Sequence, residues 1–81
     1  MTESMEERII RVLKNINEDI CSYHGDKLLE DKVIDSFDVM QIITDLEEEF
    51  KVEIDADNVV SENFLNMQSI IDMMKRLLEE E

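Results

Sequence analysis

The stretch Asp35-Ser36-Phe37-Asp38-Val39-Met40 marks the point where an aperiodic segment turns into the strongest helical pattern of the chain. Asp35 or Ser36 can cap that helix, because a short side-chain oxygen accepts a hydrogen bond from an N–H group one turn further on. Asp38 adds negative charge to the first turn, where the helix dipole favours it. We therefore expect Ser36 at a helix start, with its hydroxyl near solvent. Such a serine is either a plain cap or an acceptor for a covalent modification.

The helix that follows is predicted to run from about residue 36 to residue 50. Apolar residues recur on one of its faces at helical spacing: Val39, Ile42, Ile43, Leu46 and Phe50. Phe37 then projects to the opposite side, and Met40 lies well off the apolar face. Two apolar side chains on the solvent side, beside Ser36 and among acidic residues, predict a docking surface. The alternative is that Phe37 folds back on the preceding loop as a lid.

Two further helices are predicted. Ser4 and Glu7 have the spacing of a capping box, and the apolar stripe after them predicts a helix of about four turns: Met5, Ile9, Val12, Leu13, Ile16 and Ile20. Asn66 can cap a last helix, whose apolar residues are Ile70, Ile71, Met73, Met74, Leu77 and Leu78. A short helical turn is predicted over residues 57–60.

The region from about Asn17 to Asp35 loses the helical period and is predicted to be a long first loop with a turn at Gly25. Four apolar residues should hold this loop on the core: Leu28, Leu29, Val33 and Ile34. The predicted fold class is therefore all-α, a small four-helix bundle with three longer helices and one short helix. We expect residues 1–81 to form a single domain, since no linker or repeat divides them.

The composition limits the kinds of partner. The net charge is −14, from 22 acidic and 8 basic residues, which disfavours nucleic acid and anionic membranes and favours partners with a basic patch. No apolar run approaches the ~18 residues needed to cross a bilayer, and no signal-peptide pattern opens the chain. The single cysteine excludes an internal disulfide and is compatible with a reducing compartment. We therefore expect a cytoplasmic protein, monomeric and without membrane insertion.

Two further residue groups have part of the pattern of a metal site but not the whole of it. Cys21 and His24 lie one helical turn apart, but zinc needs four ligands and the chain has no second cysteine or histidine. The run Asp55-Ala56-Asp57-Asn58 lacks the glycine and the closing glutamate of a calcium loop. We therefore predict no metal site and no catalytic residues.

Two motifs, at the start and at the end of the helix predicted over residues 36–50, resemble those of a known family. Asp35-Ser36-Phe37 followed by Leu46-Glu47-Glu48-Glu49-Phe50 resembles the acyl carrier proteins, whose pattern is Asp-Ser-Leu and then an acidic helix ending in Leu-Glu-Glu-Glu-Phe. The similarity continues through Val52-Glu53-Ile54 and into the last helix. The resemblance implies a small helical bundle and a covalent 4′-phosphopantetheine on Ser36, with Asp35 beside it. It also implies a non-enzymatic role, in which an acyl or aminoacyl group is held as a thioester and presented to partner enzymes.

The resemblance implies partners as well: a phosphopantetheinyl transferase, an acyl- or aminoacyl-activating ligase, and downstream transferases with basic patches. The residues predicted to bind them are Phe37, Asp38, Met40, Gln41, Glu47 and Glu48. Several positions depart from the family pattern. Phe37 replaces the common leucine, Gln41 stands where an acid is usual, and Thr44 stands where an apolar residue is usual.

These departures, and the apolar pair Val33-Ile34 before the motif, make the chain look more like D-alanyl carriers and the stand-alone carriers of peptide, polyketide or polysaccharide-modifying pathways. We therefore expect a short or polar cargo, such as an aminoacyl group. The first alternative is a carrier of fatty acid synthesis. The second is a helical interaction module without a prosthetic group, which would bind a partner through Phe37 and Met40.

Overall fold

A computed structural model describes residues 4–79. They contain four α-helices: α1 (Met5–Ile16), α2 (Asp19–Ser22), α3 (Ser36–Phe50) and α4 (Met67–Glu79). Two 3-10 helices, Ala56–Asn58 and Ser61–Phe64, lie between α3 and α4. There is no strand from residue 4 to residue 79, so the predicted all-α bundle is confirmed. The predicted single domain over residues 1–81 includes residues 1–3 and 80–81, which lie outside the described range.

The starts of all three longer helices are capped where the sequence predicts it. The Ser4 hydroxyl accepts a hydrogen bond from the Glu7 N–H at 3.1 Å, and the Asn66 side-chain oxygen accepts one from the Ser69 N–H at 2.8 Å. At α3 the cap is Asp35 and not Ser36, because the Asp35 carboxylate accepts from the N–H of Asp38 at 3.0 Å. Side-chain caps of this kind satisfy N–H groups that the helix itself leaves without partners.

α1 ends at Ile16, in agreement with the loss of helical period predicted from about Asn17, but Ile20, which was counted in the apolar stripe, lies beyond the helix. The reason lies in Asn17, whose side chain accepts a hydrogen bond from the Asp19 N–H and donates one to the Val33 carbonyl, both at 2.9 Å. Asparagine side chains that bond the backbone in this way compete with helix continuation. Ile20 is still fully buried, but it belongs to the short helix α2.

Among residues 4–79, all buried side chains are hydrophobic. Those that are buried are Ile9, Val12, Leu13, Ile20, Leu28, Ile34, Val39, Ile42, Leu46, Ile54, Phe64, Ile70, Ile71, Met73 and Met74. Leu28 and Ile34 come from the long loop, which confirms that its apolar residues hold it on the core. Ile43 and Phe50, predicted on the inner face of α3, are partly buried and pack against the same cluster. No helix within residues 4–79 combines the length and apolar character needed to span a membrane.

The long loop is organised around the phenol of Tyr23. Its hydroxyl donates to the Asp31 carboxylate at 2.6 Å and accepts from the Lys27 N–H at 2.8 Å. Gly25 lies against the ring, and a Cβ there would come within 2.5 Å of the phenolic oxygen. Position 25 therefore needs glycine, so that its backbone can lie this close to the Tyr23 ring. The Leu28 N–H donates to the Leu65 carbonyl at 3.1 Å, which ties this loop to the segment before α4.

The segment between α3 and α4 also differs from the prediction. The expected helical turn over residues 57–60 is wrong in its bounds, because the 3-10 helix ends at Asn58 and a second one begins at Ser61. Phe64, in the second 3-10 helix, is buried in the core. Asn63 holds the two pieces together by donating to the Asn58 carbonyl at 2.7 Å. The chain between them, Val59 and Val60, is left on the surface.

An ionic contact fixes the carboxyl end of α3 on α1. The Arg8 guanidinium donates to the Glu49 carboxylate and to the Glu49 carbonyl, both at 2.8 Å. The same guanidinium lies 4.5 Å from the centroid of the Phe50 ring, a cation–π distance. Arg11 donates to the same carboxylate at 3.1 Å. The hydrogen bond from Arg8 is the main cause that holds the pKa of the Glu49 carboxyl below its usual range.

Candidate functional site

Ser36 is the first residue of α3 and is exposed to solvent. Asp35 and Asp38 close the cap reciprocally, since the Asp38 carboxylate accepts from the Asp35 N–H at 3.3 Å. Among residues 4–79, no partner forms a hydrogen bond with the Ser36 hydroxyl. The predicted position at a helix start, near solvent, is confirmed. The cap leaves the Ser36 oxygen available for chemistry, because the helix start does not use it.

The backbone just before Ser36 is held from two directions. The N–H groups of Val33 and Ile34 donate to the Leu28 carbonyl, at 3.0 and 3.4 Å. The Asn17 side chain donates to the Val33 carbonyl from the end of α1. The Ile34 side chain is only 1% exposed, so it anchors the chain in the core two residues before the serine. The backbone that leads into Ser36 is therefore held in place by hydrogen bonds and by a buried side chain.

A cleft of about 260 Å³ opens beside Ser36. It is lined by Leu29 from the long loop and by Val39 and Met40 from α3. The remaining lining residues come from the segment around the second 3-10 helix: Val59, Val60, Ser61 and Phe64. Apart from the serine hydroxyls, the side chains that line the cleft are nonpolar. The cleft can therefore hold an uncharged group attached near Ser36, in keeping with the mainly apolar lining of ligand pockets.

Phe37 and Met40 point into solvent, as predicted. Phe37 is 74% exposed and Met40 is 69% exposed. The alternative in which Phe37 covers the preceding loop as a lid is therefore wrong. The two side chains form an apolar surface directly beside Ser36.

The polar residues predicted to bind partners fall into two groups. Glu48 is exposed, and so is Gln41, whose amide donates to the Asp45 carboxylate at 2.8 Å. Asp38 and Glu47 are half-buried and already bonded within the protein. Asp38 belongs to the cap, and the Glu47 carboxylate accepts from the Ile54 N–H at 2.8 Å.

Sequence reasoning missed Val59 and Val60 as site residues. They are 39% and 44% exposed and line the cleft together with residues of α3. Two adjacent valines are usually read as buried, since valine is among the residues most often found inside proteins. Nothing in their local pattern marks them as surface residues.

Cys21 and His24, the other groups considered in the sequence, have different surroundings. Cys21 is half-buried, and burial is the main cause that raises the pKa of its thiol. A raised pKa disfavours the thiolate, which is the reactive form of cysteine. His24 is exposed. Within the described range, no cluster of three or more His, Cys, Asp or Glu side chains could hold a metal ion.

A wider cleft of about 390 Å³ lies between α1 and the carboxyl half of α3. Its lining is mainly polar and charged, with Asp45, Glu48, Glu49 and Lys51 on the α3 side. It contains no hydroxyl or thiol that could accept a modification. The smaller cleft beside Ser36 is therefore the better candidate site.

Comparison with known proteins agrees with this choice. A family model described as "Phosphopantetheine attachment site" matches residues 7–74 of the chain. No curated protein and no solved structure matches the chain. The matched residues include α3, the cleft and most of α4. An exposed serine hydroxyl that no described residue engages, beside an open nonpolar cleft, fits a group that is attached covalently.

Proposed function

The chain belongs to the phosphopantetheine-binding family of acyl carrier proteins, and we propose that it carries its prosthetic group on Ser36. Members of the family bear a covalent 4′-phosphopantetheine and are non-catalytic carriers, modified by phosphopantetheinyl transferases. The protein is therefore a carrier and a substrate of other enzymes. The thiol of the bound group supplies the position at which an acyl group is held as a thioester.

The assignment of Ser36 depends on which of the five serine hydroxyls form hydrogen bonds. Three are engaged in hydrogen bonds: Ser4 caps α1, Ser22 donates to the Asp19 carbonyl, and Ser69 takes part in the start of α4. Only the hydroxyls of Ser36 and Ser61 have no hydrogen-bond partner among residues 4–79, and both line the same cleft. The Asp-Ser motif separates these two, because Asp35 precedes Ser36 whereas Val60 precedes Ser61.

The experiment uses coenzyme A and a promiscuous phosphopantetheinyl transferase. Attachment replaces the hydroxyl hydrogen of the serine, so intact-mass spectrometry should show one added group on the wild-type protein. Ser36→Ala should gain none, and Ser61→Ala, the matched control from the same cleft, should gain one. Modification of Ser36→Ala would refute the assignment.

We further propose a specialised carrier with a short acyl or aminoacyl cargo. Phe37 and Gln41 are exposed and uncharged at positions where carriers of fatty acid synthesis usually have leucine and an acid. The cleft is small, and Phe64, only 1% exposed, closes it toward the core. A short nonpolar group can occupy it. The ammonium of an aminoacyl group would stay outside in water, since burying an unpaired charge is costly.

A carrier of fatty acid synthesis is the alternative, and one observation favours it. Met73 and Met74 are fully buried, and methionine is adaptable enough to yield to a longer chain. The protein with its arm attached should be offered a panel of adenylating ligases and a malonyl transferase. We expect loading by a ligase. Efficient malonyl transfer and elongation without ligase loading would show a fatty acid carrier.

We propose an activating ligase and downstream transferases with basic patches as partners, a cytoplasmic location, and a monomeric state. The net charge of −14 supports the monomer, because two copies repel each other. It also supports electrostatic attraction of basic partners, with the exposed Glu48 as a contact. The family match speaks against an interaction module without a prosthetic group, for which the exposure of Phe37 and Met40 is the one supporting observation. Absence of any mass increase in the transferase experiment would favour it.

A further inference from the structure

We propose that the Ser61 hydroxyl forms a hydrogen bond with an amide group of the phosphopantetheine arm, and that this bond holds the arm in the cleft beside Ser36 while no partner enzyme is bound. The proposal rests on the attachment at Ser36. It adds a binding role for a second residue of the cleft and a resting position for the arm.

Ser61 is the first residue of the second 3-10 helix, and the fold does not use its hydroxyl. The start of that helix has no side-chain cap. Asp26, Lys27 and Glu30 line a smaller cleft of about 60 Å³ to which Ser61 also contributes. Even so, the Ser61 hydroxyl has no hydrogen-bond partner among residues 4–79. It is therefore available to a group that enters the cleft beside Ser36.

The rest of the cleft offers nonpolar contact, from Leu29, Val39, Met40, Val59, Val60 and Phe64. The phosphopantetheine arm contains both a dimethyl-substituted carbon and amide groups. Its nonpolar part gains free energy when it leaves water. An amide that leaves water without a new hydrogen bond loses free energy. An arm that rests in this cleft therefore needs one polar partner in an otherwise nonpolar lining.

Ser61 is the side chain that meets this need. Attachment replaces the hydrogen of the Ser36 hydroxyl, so Ser36 no longer donates a hydrogen bond. Among the described residues that line the cleft, Ser61 is then the only one whose side chain carries a hydroxyl or N–H donor. A hydroxyl both donates and accepts, so it can bond either the carbonyl or the N–H of an amide.

The backbone on both sides of Ser61 is held in place. The Val60 carbonyl accepts a hydrogen bond from the Asn63 N–H at 3.0 Å. The Asn63 side-chain oxygen accepts another from Arg76 of α4, also at 3.0 Å. Phe64, at the end of the same 3-10 helix, is buried in the core. A hydroxyl on a backbone that is already ordered loses little freedom when it bonds a ligand.

The first experiment records nuclear magnetic resonance spectra of the isotope-labelled protein with and without the arm. In the wild type, attachment should shift the backbone amide signals of Val59 and Val60 as well as those near Ser36. Ser61→Ala should lower the ratio of docked to extended arm by about two- to tenfold, the effect of one hydrogen bond, and should reduce the shifts at both valines. Ser61→Thr keeps the hydroxyl and should restore them.

The second experiment measures hydrogen exchange of the amide groups in the arm, with the label in the arm itself. It responds most when the docked form predominates, because protected amides exchange through the open form. Ser61→Ala should then speed their exchange by the same factor, and Ser61→Thr should not. Ser22→Ala removes a serine hydroxyl that is exposed but lies outside the cleft, so it is the control and should match the wild type.

Neither substitution at Ser61 removes a hydrogen bond of the fold, and the spectra without the arm check that the fold is kept. Shifts and exchange rates in Ser61→Ala that equal those of the wild type would overturn the proposal. An equal change in Ser61→Thr would overturn it as well, because the hydroxyl would then not be the cause. Intact-mass spectrometry identifies a failure of the proposed function separately, since the wild-type protein would then gain no arm at Ser36.

Discussion

The Glu47 carboxylate accepts a hydrogen bond from the backbone N–H of Ile54 at 2.8 Å, across the turn that ends α3. Ile54 is 8% exposed, so this N–H has little access to water. A buried N–H without a partner costs free energy comparable to a lost hydrogen bond. Glu47 thus holds the exit of α3 in place, and its acidic neighbour Glu48 has no such role.

Glu47→Lys should therefore lower the free energy of unfolding by about 1–2 kcal/mol, because the Ile54 N–H loses its acceptor. Glu48→Lys should change it by less than about 0.5 kcal/mol, as exposed surface substitutions usually do. Urea unfolding followed by circular dichroism measures both. Glu47→Gln is the control, since it keeps an acceptor oxygen and should remain near wild type. Equal stability of all three variants would contradict a structural role for Glu47.

Glu48→Lys also tests the acidic surface without disturbing the fold. It should slow association with a phosphopantetheinyl transferase and make the association rate less dependent on salt, because exposed charges act mainly on encounter. Stopped-flow or surface-binding kinetics at two salt concentrations provide the measurement. Glu62→Lys, an exposed acid in the second 3-10 helix, is the matched control for the change in net charge. If the two variants have the same effect, the Glu48 position is not a specific contact.

The contact between Arg8 and Glu49 predicts a pH dependence. The pKa of Glu49 is lowered, chiefly by the Arg8 hydrogen bond, so the ionised form is favoured in the folded state. Its contribution to stability is therefore fully present above the ordinary glutamate pKa. It is lost as the pH falls through the lowered value of the folded state.

Thermal melts of wild type and Glu49→Gln over a pH series measure this effect. The difference between the two should be largest near neutral pH and should shrink in acid, below the usual glutamate range. The melting temperatures of the two proteins are compared because acid also weakens the repulsion among acidic side chains in a chain of net charge −14, and both proteins share that effect. A difference that stays constant down to strong acid would show that the contact is not ionic.

Gly25→Ala should destabilise the protein by about 1–3 kcal/mol, the usual cost of overpacking. The added Cβ would lie 2.5 Å from the Tyr23 oxygen and 2.7 Å from the adjoining ring carbon, so the ring has to move. Moving it breaks the bonds to Asp31 and to the Lys27 N–H. In a Tyr23→Ala background the same change should cost much less. A double-mutant cycle by chemical denaturation measures the coupling, and additive effects would contradict the contact.

Two lysines have left-handed backbone conformations that favour glycine. Lys51 ends α3 with φ 56°, and Lys32 lies in the long loop with φ 59°. Lys51→Gly and Lys32→Gly should each raise the free energy of unfolding by about 0.5–1 kcal/mol, because glycine adopts this conformation without the Cβ clash. Lys27→Gly is the control. Its φ is not positive, so it should be neutral or destabilising. Destabilisation by all three substitutions would contradict the expectation.

The helix starts could be predicted because their causes are local. The caps at Ser4, Asp35 and Asn66 act within three residues of themselves, so the sequence window contains both partners. The same holds for the outward position of Phe37 and Met40, which follows from the helical period alone. The bond from the Asn17 side chain to the Val33 carbonyl could not be predicted in this way, because the two residues are 16 positions apart in the sequence.

The contribution of Val59 and Val60 to the cleft could not be predicted from the local sequence either. Phe64 is buried in the core, whereas Val59 and Val60 are exposed and line the cleft. The segment that contains them is tied to the long loop by the Leu28 N–H, which donates to the Leu65 carbonyl and is distant from it in sequence. Hence the α3 residues of the candidate site, such as Met40, were predicted, whereas Val59 and Val60 were not.

The reciprocal cap between Asp35 and Asp38 has a consequence for how the protein is reused. Since the helix start is complete without the Ser36 oxygen, a substituent on that atom neither unwinds the first turn nor removes any bond that holds it. With the arm attached at Ser36 as proposed, acyl groups can be loaded on its thiol and released many times without any change at the helix start. An enzyme that receives the carrier meets the same helix start whether the attached group is empty or full.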